Sequence, residues 1–445
     1  MSATRLAKIN RVLERGVRAG GFPGASIVVG RRGFAVWERG IGRVTWARDA
    51  SLVVPNRTMY DLASLTKVVA TTTAIMILYD EGKIRLDDPV WRYIPAFAGG
   101  AKNNVTIRHL LTHRSGLPPG RDIWRIADSR WEAREAVIAS ELMDGCPPGA
   151  CYEYSDLGPA VLGFVAEAVT GERLDKFLER RVFDPLGMSD TYFNPPESLR
   201  GRIAPTAVTS TRGYPLRGEV HDDNAAALGG VAGHAGLFST VSDLSIFAQM
   251  LLNGGAYGGV RIASDTAVEL FTRRAAGRRA LGWDTCEGDY GCGRYLSENA
   301  YGHTGFTGTS LWIDPDRDMF VILLTNRVHD ARARRPAKVI SDVRADVADA
   351  AALAVLDFGD VLAMPRAFRS DRAIGWNRSR IMPKKRSLKK ARSAPRRSKA
   401  RSHAPARGKR GAGAAKSARS ANATVRKATV RKPVVATPKS RARRG

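Results

Sequence analysis

Two hydrophobic rhythms divide the chain. Short runs of apolar and β-branched residues, Ala25 to Val29, Phe34 to Trp37, Thr309 to Ile313 and Met319 to Thr325, read as strands, and Pro315-Asp316-Arg317-Asp318 between the last two predicts a hairpin. Ala3 to Arg18, Arg130 to Met143, Asp156 to Val169 and Ala337 to Val355 read as helices. From Leu65 to Tyr79 the chain is apolar or small nearly all round and stops at Asp80-Glu81-Gly82, the pattern of a buried helix with a glycine stop. The strands come from the two ends of the chain and most helical segments from its middle. That predicts one discontinuous α+β unit: an antiparallel sheet covered by the first and last helices, a mostly helical lobe at about 85–200, and a cleft between them.

The buried helix carries the first candidate chemistry. Ser64 falls in its first turn, and a spacing of three places the Lys67 amine beside the Ser64 hydroxyl. Burial disfavours an ammonium, so a neutral lysine is expected to take the serine proton. S-x-x-K alone is a weak signal, since Ser387-Leu388-Lys389-Lys390 repeats it inside a basic tail. Two further elements strengthen it. Tyr154-Ser155-Asp156 follows a Pro147-Pro148-Gly149 turn at the start of a helix, where a phenol can serve as a second proton carrier. His303-Thr304-Gly305 stands just before a strand.

In this order the three elements resemble the serine β-lactamase and penicillin-binding protein superfamily, in particular the class C β-lactamase-like esterases and peptidases. The resemblance runs from about Gly21 to Leu356 and includes Phe22-Pro23-Gly24-Ala25, Thr106 to Pro118, Gly229 to Leu237 and Gly302 to Thr309. It implies a β-lactamase-like fold, Ser64 as the acylated nucleophile, Lys67 and Tyr154 as the proton-transfer pair, and the backbone amides of Ser64 and Phe306 as an oxyanion hole. Asp156, His303, Thr304 and Gly305 would contact substrate. No cofactor or metal is implied.

Two positions depart from the β-lactamase pattern. Asp156 stands where asparagine is usual and cannot donate a hydrogen bond while ionised; His303 stands where lysine is usual and anchors a carboxylate less well. Both favour esterase-type hydrolysis of a small, less anionic ester or amide. A D-alanyl-D-alanine carboxypeptidase, a penicillin-binding protein or a weak β-lactamase is the alternative, and a polyanion-binding protein with an inert hydrolase domain is the alternative of another class. No G-x-S-x-G elbow, phosphate loop or H-E-x-x-H helix is present. His109 and His113, four apart, read as core or capping histidines; His221-Asp222-Asp223-Asn224 reads as a polar loop, and His234 as a pocket residue.

Charge separates the chain into two parts. From Trp376 to Gly445 there are 25 Lys and Arg and no Asp or Glu, which leaves 46 basic against 43 acidic residues before it. We draw the catalytic unit at 1–365 and a disordered Lys/Arg/Ala-rich tail at 370–445, which cannot bury enough apolar area to fold. Residues 376–445 are expected to bind nucleic acid or another polyanion without reading sequence. No segment has the length and apolar character of a signal peptide core or a membrane span, so the expected location is the cytoplasm, with the cell envelope as the alternative. Cys146 with Cys151 and Cys286 with Cys292 form two short-range pairs, read as local disulfides with a four-thiolate metal site as the alternative, and as free thiols in a reducing compartment. Neither motif nor pattern specifies an oligomeric state.

Overall fold

The computed structural model describes residues 1–287, 291–359 and 361–377. Six strands form one antiparallel sheet: β1 (Gly24–Arg31), β2 (Phe34–Gly42), β3 (Asp284–Thr285), β4 (Tyr301–Thr304), β5 (Ser310–Asp314) and β6 (Met319–Thr325), in the order β2-β1-β6-β5-β4-β3. The two chain ends meet at its centre, where Ala25 pairs with Thr325 and Arg31 with Met319. Alternation then divides the apolar side chains between two cores. Ile27, Val29, Val321 and Leu323 pack on one face against helices α1 (Ala3–Leu6), α2 (Lys8–Arg18) and α5 (Pro336–Leu353). Val28, Ile322 and Leu324 point to the other face and join the core of the helical lobe. With both faces covered, β1 and β6 are buried along their whole length.

The helical lobe is built around the run after Ser64 and around α4 (Leu157–Thr170). The run after Ser64 is not one regular helix. Lys67–Thr72 is π-helical and passes into α3 (Thr73–Asp80). Thr73 donates its hydroxyl to Val68 O at 3.0 Å, which satisfies a carbonyl of this stretch, and Thr71 donates to Gly233 O of the glycine loop at 2.7 Å. Gly233 is tightly held, since a Cβ there would lie 2.0 Å from Pro159 O at the start of α4. The helix over Arg130–Ile138 is shorter than its sequence pattern predicts.

The ordered chain also extends beyond the expected domain boundary at 365–370. A helical turn at Arg369–Arg372 and the buried Trp376 dock on α5. The reason is electrostatic: Asp342, Asp346 and Asp349, spaced along one side of α5, are all buried. Arg369 reaches Asp346 at 3.0 Å and Asp349 at 2.7 Å, Ser370 N donates to Asp346 at 2.6 Å, and the Trp376 indole N–H donates to Asp342 at 2.8 Å. The rest of the basic tail lies outside the described residues.

Deleting 378–445 should therefore leave the thermal midpoint of the folded unit unchanged. Deletion from 368 onward should lower it by about 5 °C or more, because it removes the Arg369 and Ser370 partners of Asp346, and breaking a buried ion pair costs roughly 3–5 kcal/mol. Equal midpoints for the two truncations in differential scanning calorimetry would show that the segment is not part of the fold.

Candidate active site

Ser64 sits in a turn just ahead of the first helical residues rather than within the helix. The preceding Ala63 has φ of 48°, in the left-handed region, held there because its N–H donates to Asp61 Oδ1 at 2.8 Å. Asp61 is itself buried and joins three segments. Its other carboxylate oxygen accepts from His221 N at 2.7 Å, and its carbonyl accepts from the Thr307 hydroxyl at 2.7 Å. The Thr309 hydroxyl donates to Leu62 O at 2.9 Å, so the serine turn and the His303 to Thr309 turn are stitched together.

Lys67 is 2% exposed, and its Nζ has three acceptors: Ser64 Oγ at 2.8 Å, Asp156 Oδ1 at 2.7 Å and His234 O at 3.0 Å. The expectation of a neutral lysine is thereby corrected. Burial disfavours the ammonium, but the neighbouring Asp156 carboxylate, through its charge and its hydrogen bond, outweighs it and raises the Lys67 pKa above the ordinary lysine value. In return Lys67 and His234 hold the Asp156 carboxyl below its usual range, against the opposing effect of burial. Asp156 is the N-cap residue of α4 yet makes no side-chain cap bond, since its carboxylate is turned to Lys67.

Tyr154 lies in the loop between the Cys146–Cys151 disulfide and α4, with its ring 5.3 Å from Lys67 Nζ. It stacks on His113, ring centroids 4.6 Å apart, and lies 6.0 Å from the His303 ring. His303 Nδ1 donates to Thr304 O at 2.8 Å, which leaves Nε2 with its lone pair, buried and 4.0 Å from Asp284 Oδ2. Burial pushes the His303 pKa down to about 4, and burial followed by the Arg279 charge pushes His113 well below the ordinary value. Both rings are neutral at pH 7.

Ser64, Tyr154, His303, Thr304, Gly305 and Phe306 line one cavity of about 680 Å³; Lys67 and Asp156 are not part of its lining and reach it through the contact of Lys67 with Ser64. Among the described residues, the Ser64 and Phe306 amides donate to no protein acceptor. Gly305 is required by close approach: a Cβ would lie 2.1 Å from Thr309 Oγ1 and 2.4 Å from Leu62 O. The Gly305 and Thr309 carbonyls both accept from Arg344 of α5, at 2.6 and 2.8 Å. The Phe306 ring is 61% exposed at the cavity mouth, against Arg327. A larger cavity of about 1000 Å³ beside the Cys286–Cys292 disulfide shares Thr285 with the first and contains none of the expected site residues.

Several site residues were not picked out from the sequence. Arg279 is 1% exposed, pairs with Asp284, and lies 5.6 Å from the Tyr154 ring, yet its Nε and Nη2 have no partner. Arg114, Arg278, Arg327 and Arg344 also line the cavity, against one carboxylate, Asp284. A lone arginine in a loop carries no periodic signal, and nothing local marks these five as neighbours. Asp222 caps the helix Asp223–Ala227 and meets His234 Nε2 at 3.0 Å, and His109 completes a capping box with Thr106. No group of three or more His, Cys, Asp or Glu among the described residues is arranged to hold a metal ion.

The comparisons with known proteins follow this geometry. The Beta-lactamase family model matches residues 9–344. The chain is 32% identical over 366 residues to "N-acetylmuramyl-L-alanine amidase" of Bacillus subtilis (strain 168), covering 74% of this chain and 82% of the relative. It is 33% identical over 365 residues to "Putative D-alanyl-D-alanine carboxypeptidase" of Escherichia coli (strain K12), covering 73% and 83%. Among solved structures, "EstCE1, a hydrolase with promiscuous acyltransferase activity" superposes with a TM-score of 0.62 at 22% identity, covering 77% of this chain and 98% of that one. With a family model over most of its length and relatives of this identity and coverage, the chain belongs to the β-lactamase family of serine hydrolases.

Proposed function

We propose that the chain is an acyl-enzyme amidase or peptidase whose substrate bears a carboxylate close to the scissile bond. Ser64 attacks the carbonyl, the amides of Ser64 and Phe306 receive its oxygen, and Lys67 and Tyr154 handle the protons. The observation that carries the substrate class is Arg279: a buried guanidinium in the wall of the Ser64 cavity with two donor nitrogens unpartnered. A planar fork of this kind matches a carboxylate. The preference for a less anionic substrate, drawn from His303, therefore gives way. The positive charge missing from position 303 is supplied by arginines around it.

The two relatives named above, both more than 30% identical, are named for amide and peptide cleavage, which agrees with this reading. A second reading, ester hydrolysis, has likenesses to solved esterases such as EstCE1, which at 22% identity report fold alone. Two disulfides bordering the site, with Cα separations of 5.6 and 5.8 Å, fit an oxidising compartment such as the cell envelope better than the cytoplasm. Among the described residues no helix is long and apolar enough to cross a membrane.

A separate proposal concerns the basic tail: 25 positive charges with no acidic residue from Trp376 onward form a polycation suited to nucleic acid, without base specificity.

Three outcomes are expected. Ser64→Ala should lower turnover by more than about 10³-fold with the fold retained, and a fluorophosphonate should label Ser64 alone by mass spectrometry. Labelling elsewhere would refute the nucleophile. For peptides of matched sequence, a free C-terminal carboxylate should raise kcat/KM about tenfold or more over the amidated form, and Arg279→Gln with Asp284→Asn should erase the difference. A neutral ester turned over faster than both would favour the second reading. Finally, the full chain should be retained on immobilised DNA in a steeply salt-dependent way, and deletion of 378–445 should abolish retention while leaving kcat/KM for a small substrate unchanged.

A further inference from the structure

Five arginines line the Ser64 cavity, and four of them are engaged within the protein. Arg114 donates twice to Gly149 O, at 3.1 and 2.6 Å, and Arg344 donates to the Gly305 and Thr309 carbonyls. Arg278 lies 3.6 Å from Glu287, and Arg279 pairs with Asp284. Arg327 differs. Among the described residues no carboxylate or carbonyl receives its guanidinium, and its Nε is buried without a partner. The group lies instead over the Phe306 ring, 4.7 Å from the centroid. Burial lowers its pKa below the ordinary arginine value with no counter-charge to offset it, yet an arginine stays charged at pH 7. Charges withdrawn from water are normally paired, so this cation lacks a partner that an anionic ligand would supply.

The position of Arg327 is built into the fold. Its N–H donates to Thr307 O at 2.9 Å, one residue from Phe306, and the side chain of the preceding Asn326 is tied to Val44 O at 2.9 Å and to Pro205 O at 2.8 Å. Gly308 makes room for the arginine stem: a Cβ there would lie 3.0 Å from Arg327 Cγ and 2.1 Å from Thr325 Oγ1. The turn that carries the Phe306 amide thus also holds the guanidinium.

We propose that Arg327 and the Phe306 ring form a second anion subsite of the Ser64 cavity, which takes a carboxylate in the acyl half of the substrate: a peptide with an acidic side chain ahead of the scissile bond. This rests on the reading of the cavity as an amidase or peptidase site whose first carboxylate, in the leaving half, meets Arg279. Arg279 lies 5.6 Å from the Tyr154 ring and Arg327 packs on Phe306, so the two cations mark different parts of the lining. With the leaving half engaged by Arg279, the acyl half remains for Arg327. The exposed Phe306 ring offers an apolar face to the methylenes that carry such a carboxylate.

The test compares glutamate with glutamine, in peptides with a free C-terminal carboxylate, at each of the two residues before the scissile bond and at the residue after it. With the full chain, glutamate at one of the first two positions should raise kcat/KM about tenfold over glutamine. Arg327→Gln should bring that ratio to about one, and Arg327→Lys, which keeps the charge without the planar fork, should retain part of it. Equal rates at both acyl positions overturn the proposal. So does a preference confined to the residue after the scissile bond, or one that survives in Arg327→Gln, as a preference owed to the basic tail would. Arg327→Met, which keeps the stem on Phe306, replaces Arg327→Gln if the latter does not fold by circular dichroism. Protection of Ser64 from a fluorophosphonate by the same peptides reads binding without cleavage. Protection by the glutamate peptide at about tenfold lower concentration, lost in Arg327→Gln, bears the subsite out even where neither peptide is cleaved, an outcome that defeats the peptidase reading alone. Cleavage of both peptides at equal rates leaves that reading standing and defeats the subsite; neither cleavage nor protection defeats both.

Discussion

A buried ammonium is the constraint from which the rest of this site follows. Lys67 is almost wholly removed from water, and an unpaired charge in that position would cost several kcal/mol. Its three acceptors come from separate stretches: Ser64 from its own helix start, Asp156 from the start of α4, and the His234 carbonyl from the glycine loop. Satisfying one nitrogen therefore fixes three segments relative to one another. The same principle recurs at Asp61, a buried carboxylate whose partners hold the serine turn, the His221 loop and the Thr307 turn together. The positive φ of Ala63 is tolerated because these bonds over-determine it.

Around that centre the charges are sorted by burial. His113 and His303 are neutral because the cavity wall desolvates them, and they act as flat packing surfaces for Tyr154. The positive charge facing the cavity resides on arginines, which stay protonated where a histidine would not. The two disulfides lie next in sequence to the segments that carry Tyr154 and Asp284.

The sheet links this chemistry to the far side of the molecule. Arg344 extends from α5 to the carbonyls of Gly305 and Thr309, while other positions of α5 hold the buried aspartates that dock the segment through Trp376. One helix thus supports the Phe306 turn and anchors the end of the folded chain.

Much of this was legible in the sequence because it depends on local order. Periodicity located the strands and helices, and the Ser64–Lys67 spacing holds even though the helix is π-helical from Lys67 onward. Charge counting set the basic segment from Trp376 on, but the unit drawn to 365 leaves out Arg369, Ser370 and Trp376, which three aspartates on α5 hold and which no local pattern ties to them. The protonation of Lys67 was misjudged for the same reason: burial can be read from an apolar run, but the carboxylate 2.7 Å away comes from 89 positions further along the chain. The sequence by itself thus determined which elements form and which residues can react. Tertiary structure decided which charges face one another, because Coulomb and hydrogen-bond energies depend on distances through space, and these are set only when distant segments pack.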